Sequence, residues 1–250
     1  MRSRHERAAS APALFNVERL ELTFEPRPWP YAAEKRAEID AFFAQLQRQV
    51  PSVWNGRVLL LHRHVIADGV FRGAYLETDY ASFAAWRASG RPPAGVHDCF
   101  GAAAVIAGDG GVLLGVMGKH TANHDRVYFP CGTPDLDDIV GGRVDLDLSV
   151  RRELKEETGL EANDFAADPG WITVVDGALI MHVKVLRAAE PAEALRARVR
   201  DHIARERQPE LSDIRIVRGP RDLDAAIPPF VAAFLTWHFG RPAGTNRQHH

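Results

Sequence analysis

Residues 152–160 read Arg-Glu-Leu-Lys-Glu-Glu-Thr-Gly-Leu, and no other stretch restricts the fold and chemistry of the chain as much. Leu148 to Glu157 has helical spacing, with Asp147 or Ser149 as its N-cap, and Gly159 stands where a helix takes a C-cap glycine. At about 100° per residue, Glu153, Glu156 and Glu157 fall within an arc of roughly 100°. Like charges at this spacing cost a helix about a few tenths of a kcal/mol. A divalent cation reverses the sign of that energy. Oxygen ligands on a rigid element suit Mg²⁺ or Mn²⁺, which keep waters and bridge to phosphate oxygens. The competing reading is a solvated acidic face with Arg152 and Lys155 as partners.

The rest of the chain supplies an α/β setting. Phe15 to Phe24 alternates as a strand, and Pro26, Pro28 and Pro30 break it. Ala32 to Val50 has the spacing of a helix. Arg57 to His64 and Val70 to Glu77 read as strands around an Ala67-Asp68-Gly69 turn. Tyr80 to Ser89 reads as a short helix. Gly90 to Gly95 is rich in turn residues and marks the best boundary. Cys99 to Ala107 and Val112 to Met117 form a hairpin around Asp109-Gly110-Gly111. Val127 to Phe129 is followed by a long loop. Beyond the acidic helix come strands at Trp171–Asp176 and Ala178–Val185, a charged helix from Pro191 to Arg207, a strand at Ile214–Val217 and an apolar helix from Ile227 to Phe239. Residues 1–13 and 241–250 read as loose tails, 14–95 as an N-terminal α/β module, and 96–240 as the domain that holds the acidic helix.

Composition excludes several classes. The chain has 250 residues, 46% hydrophobic and 26% charged, which is a core-forming balance rather than a disordered or collagen-like one. Its 31 basic and 33 acidic residues leave a net charge of -2, with no global attraction to nucleic acid or to an anionic membrane. No apolar run approaches the roughly 20 residues of a membrane helix. Cys99 and Cys131 are too few and isolated for a disulfide framework or a zinc site, so a reducing cytoplasm is the expected compartment.

The run from Arg152 to Leu160 resembles the second half of the Nudix box, whose pattern is G-x5-E-x7-R-E-U-x-E-E-x-G-U with U aliphatic. Every fixed position of that half is matched. The first half departs from the pattern. Counting back from Arg152 puts Val144 at the first glutamate and Asp138 at the box glycine. An insertion in the loop would make Gly132 the start of the box, with Asp145 or Asp147 supplying the missing carboxylate. The resemblance implies a Nudix α/β/α sandwich and a Mg²⁺- or Mn²⁺-dependent pyrophosphohydrolase. It assigns the metal to Glu153, Glu156 and Glu157, with Asp145 as a further ligand, and a bracing role to Arg152. Family members often add a carboxylate from a later loop, for which Glu210 is the first candidate and Glu206 the second. The expected substrate is a small nucleotide, a nucleoside diphosphate linked to another group. Homodimers are common in the family.

Other residues bear on the substrate. Gly132, Lys119 and His120 lie on the expected substrate side of the loops, where Lys119 or His120 could meet a phosphate. His62-Arg63-His64 reads as exposed strand polarity. Trp54-Asn55-Gly56 and Asp79-Tyr80 loosely resemble elements of the UDP-glucose diphosphatase-like branch. Trp54 or Tyr80 could then stack on a uracil, although core packing is the more ordinary use. UDP-sugar is therefore the favoured substrate. The alternative, motivated by Val144, is a lapsed Nudix-fold module that binds a nucleotide without cleaving it. An RNA substrate would need a basic groove, and the arginines from Arg196 to Arg207 read better as a solvated helix face.

Overall fold

The computed structural model describes residues 11–121 and 123–241. Residues 1–10 and 242–250 of the two expected tails lie outside the described residues. The elements in chain order are β1 (Ala13–Val17), β2 (Arg19–Phe24), α1 (Pro30–Glu34), α2 (Arg36–Gln49), β3 (Arg57–Ala67), β4 (Val70–Asp79), α3 (Tyr80–Ala88), β5 (Asp98–Ile106), β6 (Val112–Met117), β7 (Val127–Tyr128), β8 (Ile139–Val140), β9 (Arg143–Val144), α4 (Leu146–Thr158), β10 (Ala166–Ala167), β11 (Trp171–Asp176), β12 (Leu179–Arg187), α5 (Ala192–Ile203), β13 (Leu211–Val217) and α6 (Pro229–Gly240).

They build a mixed α/β fold around two sheets. The larger has eight strands, with β1-β11-β12-β5-β6-β13 as its main order. Within it β12 and β5 run parallel, while β11–β12 and β6–β13 are antiparallel. From Cys99 to Ile106 strand β5 has no polar side chain, because both of its faces are covered. Cys99, Ala103 and Val105 face a core shared with Val150 and Leu154 of α4, Leu195 and Val199 of α5, and Leu59, Leu61 and Phe71 of the smaller sheet. Phe100, Ala102, Ala104 and Ile106 face the opposite core, with Val231, Phe234 and Leu235 of α6.

Two expected elements are corrected. Phe15 to Phe24 is two strands, because the chain changes sheets at Glu18: β1 pairs with β11, and β2 pairs with β4 in the five-stranded sheet β3-β4-β2-β9-β8. Apolar alternation is the same whichever sheet a strand joins, so the pattern could not show the switch. Each sheet therefore draws strands from both sides of the turn-rich stretch at 90–95. Residues 13–17 belong to the larger sheet and residues 139–144 to the smaller one. The expected helix at 32–50 is also two, divided at Lys35.

His62-Arg63-His64 is not plain exposed polarity either. A bulge between Leu61 and Arg63 interrupts β3, His62 is nearly covered beside Glu25, and the His64 ring stacks on buried Phe71. Among the described residues, no helix is long and apolar enough to cross a membrane.

Candidate active site

Helix α4 begins at Leu146, two residues before the expected start, because Asp145 is its N-cap. Asp145 Oδ1 accepts from the backbone N–H of Asp147 at 3.0 Å and of Leu148 at 3.1 Å. Asp147 instead pairs with Arg151 at 2.6 Å. The other end stops at Gly159, which takes the left-handed conformation. The buried face of α4, Leu146, Val150 and Leu154, packs on β5. Close approach is possible because residue 101 is glycine: a Cβ there would lie 2.6 Å from Val150 Cγ2 and 3.1 Å from the Leu146 carbonyl oxygen.

This seating turns Arg152, Glu153 and Glu157 toward the loop 130–138. Glu157 is 6% exposed. Its Oε1 accepts from the Cys131 N–H at 3.0 Å, and its Oε2 is buried without a hydrogen-bond partner among the described residues. Burial, and then the charges of Glu153 and Glu210, hold its carboxyl well above the usual carboxylate range against the pull of the Cys131 N–H. Glu153 is pushed up to about 7 by burial, against the neighbouring Arg152 guanidinium, with Glu156, Glu210 and Asp138 adding to the rise. Gly132 is pressed against the Glu153 carboxylate, and a Cβ at that position would collide with it. Glu156 is the outer member of the set, largely exposed, at 4.0 Å from Arg152.

Arg152 braces the group from the side. Its Nη1 lies 3.1 Å from Glu153 Oε1, and its Nη2 donates to both carboxylate oxygens of Asp138, at 3.2 and 3.1 Å. Asp138 is fully buried, and its carboxylate also accepts from the Asp135 N–H at 3.1 Å, in a capping box with Asp135. The residue that the box count placed at the glycine position is thus the arginine's anchor. Its signal in the sequence was the Asp-Leu-Asp-Asp run, a cap pattern in itself.

The expected further carboxylates separate cleanly. Glu210 lies just before β13 and lines a pocket of about 730 Å³ that opens beside Cys131 and Gly132. Partial desolvation against the pocket wall raises its pKa, then the Glu156 charge, while His120 pulls it down. Glu206 sits instead beside His202, at 3.3 Å. Asp145 stands eight residues before Glu153, roughly 12 Å along the helix axis. That distance, together with its capping bonds, corrects the expectation that Asp145 completes the ligand set. Val144 is buried in the core. His120 lines the pocket and Lys119 does not.

The oxygen-only donor set fits a hard divalent cation on one specific observation. Glu157 Oε2 is an acceptor, buried and unpartnered, among carboxylates that raise one another's pKa. Among the described residues, no three acidic, histidine or cysteine side chains converge as a ready-made cage. Mg²⁺ needs none, since it is held by one or two carboxylates and keeps its waters.

The N-terminal part of the chain also lines the pocket, and the Trp-Asn-Gly and Asp-Tyr elements hold the start of α3 there. Asn55 Oδ1 accepts from the Ala81 N–H at 2.8 Å, and Asp79 accepts from the Ser82 N–H at 2.9 Å, so both elements cap α3. Tyr80 lines the pocket, while Trp54 is 75% exposed and packs over Gly56 rather than in the core. The arginines of α5 are mostly answered by acids: Arg196 and Arg200 by Asp213, and Arg198 by Glu190 and Asp164.

No protein-family model matches the chain, and no curated protein matches it. Solved structures are similar in outline, among them two Nudix hydrolases. One is assigned to the Nudix hydrolase family in Chromobacterium violaceum, at 20% identity and a TM-score of 0.37, covering 57% of this chain and 76% of that one. The other is the Nudix hydrolase RenU of M. smegmatis, at 16% identity and a TM-score of 0.39, covering 62% of this chain and 90% of that one.

Proposed function

We propose that the chain is a Mg²⁺- or Mn²⁺-dependent pyrophosphohydrolase of the Nudix type, acting on a nucleoside diphosphate linked to another group. The observation that carries this reading is Glu157: a buried carboxylate with one oxygen tied to a backbone N–H and the other unpartnered. Burying an acceptor without a partner costs about 1–3 kcal/mol, and more for a charged group, which a structural residue has no reason to incur. Glu157 and Glu153 would hold the cation, with Glu156 reaching it from the exposed side of the same turn. When bound, the metal lowers the pKa of water and offsets charge on the attacking and leaving oxygens.

The chain's own groups do the rest. Arg152, fixed by Asp138, keeps Glu153 oriented and limits the repulsion among the carboxylates. Glu210, which lines the pocket and has a raised pKa, would take a proton from water as it attacks phosphorus. Tyr80 gives the pocket an aromatic side for a base or sugar. UDP-sugar is the first compound to test. A phosphatase-coupled phosphate-release screen with Mg²⁺ would compare UDP-glucose and other sugar nucleotides with ADP-ribose, dinucleotides and coenzyme A. Turnover of one member, reduced at least ~100-fold in Glu157→Gln, is the expected result. Equal activity in the variant overturns the metal assignment.

A second reading rests on Val144, a buried aliphatic residue at the counted position of the first box glutamate. It makes the chain a module that binds a nucleotide without cleaving it. Silence across the panel, with nucleotide binding retained in EDTA, would select it.

A further inference from the structure

The pocket is lined by both acidic and basic side chains. Glu210 lines it, and so do Cys131 and Gly132, which touch Glu157 and Glu153. Three arginines line the same pocket: Arg87 at the end of α3, Arg91 just beyond it, and Arg126 from the loop between β6 and β7. Arg91 is already matched, since its Nη2 and Nε lie 2.6 and 3.1 Å from Oδ2 of buried Asp98. Arg87 and Arg126 have no carboxylate partner among the described residues. Arg126 makes one long contact, from Nη1 to the Ala225 carbonyl at 3.4 Å. The Arg87 guanidinium is held 5.2 Å from the ring centroid of buried Phe83. Beside them the Tyr128 hydroxyl accepts from Asn123 Nδ2 at 3.2 Å, which leaves its own proton free to donate.

A guanidinium has five donors and no acceptor, and its fork matches the oxygens of a phosphate. Two such groups and a phenol line the same pocket as Glu210 and the Cys131–Gly132 segment that touches Glu157 and Glu153, and Tyr128 feels the charges of both Glu157 and Arg87, so donors and carboxylates share one cavity. We propose that Arg87, Arg126 and Tyr128 form a phosphoryl subsite that grips non-bridging oxygens of the substrate's diphosphate, with Arg87 as the specificity residue supplied by the N-terminal module. The inference rests on the pyrophosphohydrolase reading and adds a requirement to it: α3 takes part in binding substrate. If Arg87 served the fold alone, through the α3 C-terminus and the Phe83 ring, its loss would change stability and leave affinity alone.

Two measurements separate the subsite from the metal site. Mn²⁺ binding followed by electron paramagnetic resonance reports the carboxylates. Calorimetric binding of methylenediphosphonate, a diphosphate that cannot be hydrolysed, reports the subsite in the presence of Mg²⁺ and again in EDTA. In Arg87→Gln the expected loss of methylenediphosphonate affinity is about tenfold or more, from losing a charge-assisted hydrogen bond. Arg87→Lys should recover part of it, Arg126→Gln and Tyr128→Phe should lose less, and Mn²⁺ binding should be unchanged throughout. Affinity within twofold of wild type in Arg87→Gln, or no methylenediphosphonate binding by a wild type that binds Mn²⁺, overturns the subsite. A wild type that does not bind Mn²⁺ overturns the pyrophosphohydrolase reading instead, and the Arg87 dependence in EDTA then decides the subsite alone. If Arg87→Gln does not fold, Arg87→Lys and Arg126→Gln carry the same comparison.

Discussion

Gly132 and Glu153 compete for one small volume, and the outcome decides where a ligand carboxylate points. A methyl group on residue 132 would displace the far end of a flexible side chain rather than backbone. Gly132→Ala should therefore fold with little loss in urea denaturation but turn over substrate at least ~10-fold more slowly, since small misplacements of catalytic groups are expensive. A variant as active as wild type would show that the Glu153 position is immaterial. Such a contact is invisible in sequence, where the two residues are 21 positions apart. The helix glutamates were legible because helical spacing alone brings them to one face. Asp138, Arg87 and Tyr128 were not, because each reaches the site through a separate turn of the fold.

The acidic helix depends on its ends as well as on its seam with β5. Asp145 satisfies two of the N–H groups that open α4, so its carboxylate is committed to the helix rather than to a cation. Asp145→Ala should lower stability by about 1 kcal/mol, Asp145→Asn should lose far less because asparagine also caps well, and Mn²⁺ affinity should be the same in both. Weakened Mn²⁺ binding in Asp145→Asn, at unchanged stability, would return Asp145 to the ligand set. Element types were largely readable from periodicity, and the β3–β4 and β5–β6 hairpins and the closing helix lie close to their expected positions. Pairing was not readable. The switch of sheets at Glu18 and the small β8–β9 hairpin depend on partners far away in the chain, and strand alternation says nothing about which partner is chosen.

At the scale of the whole molecule, the two sheets meet across a stack of rings. The His182 ring of β12 lies 4.4 Å from Phe71 of β4, Phe71 stacks on His64 at 5.3 Å, and His64 meets His97 edge-on at 4.7 Å. His182 is fully buried, with Nδ1 2.8 Å from the Thr173 hydroxyl and Nε2 unpartnered among the described residues. Burial, and then the His64 ring, push its pKa down to about 3 from an ordinary 6.5, and burial lowers His64 and His97 in the same direction. Between those two values the unfolded chain binds a proton at His182 that the folded chain refuses. The contribution of His182 is therefore complete above about pH 6.5 and declines as pH falls toward 3, by about 1.4 kcal/mol per unit. His182→Phe keeps a ring at the joint and removes the titration. Urea denaturation of both proteins from pH 7.5 to 4.5 should give curves whose difference is flat above about 6.5 and then slopes by close to one proton. A constant difference across the whole range would mean that the joint tolerates a charged imidazole, and that the two sheets are held together by the surrounding aliphatic core rather than by the stack.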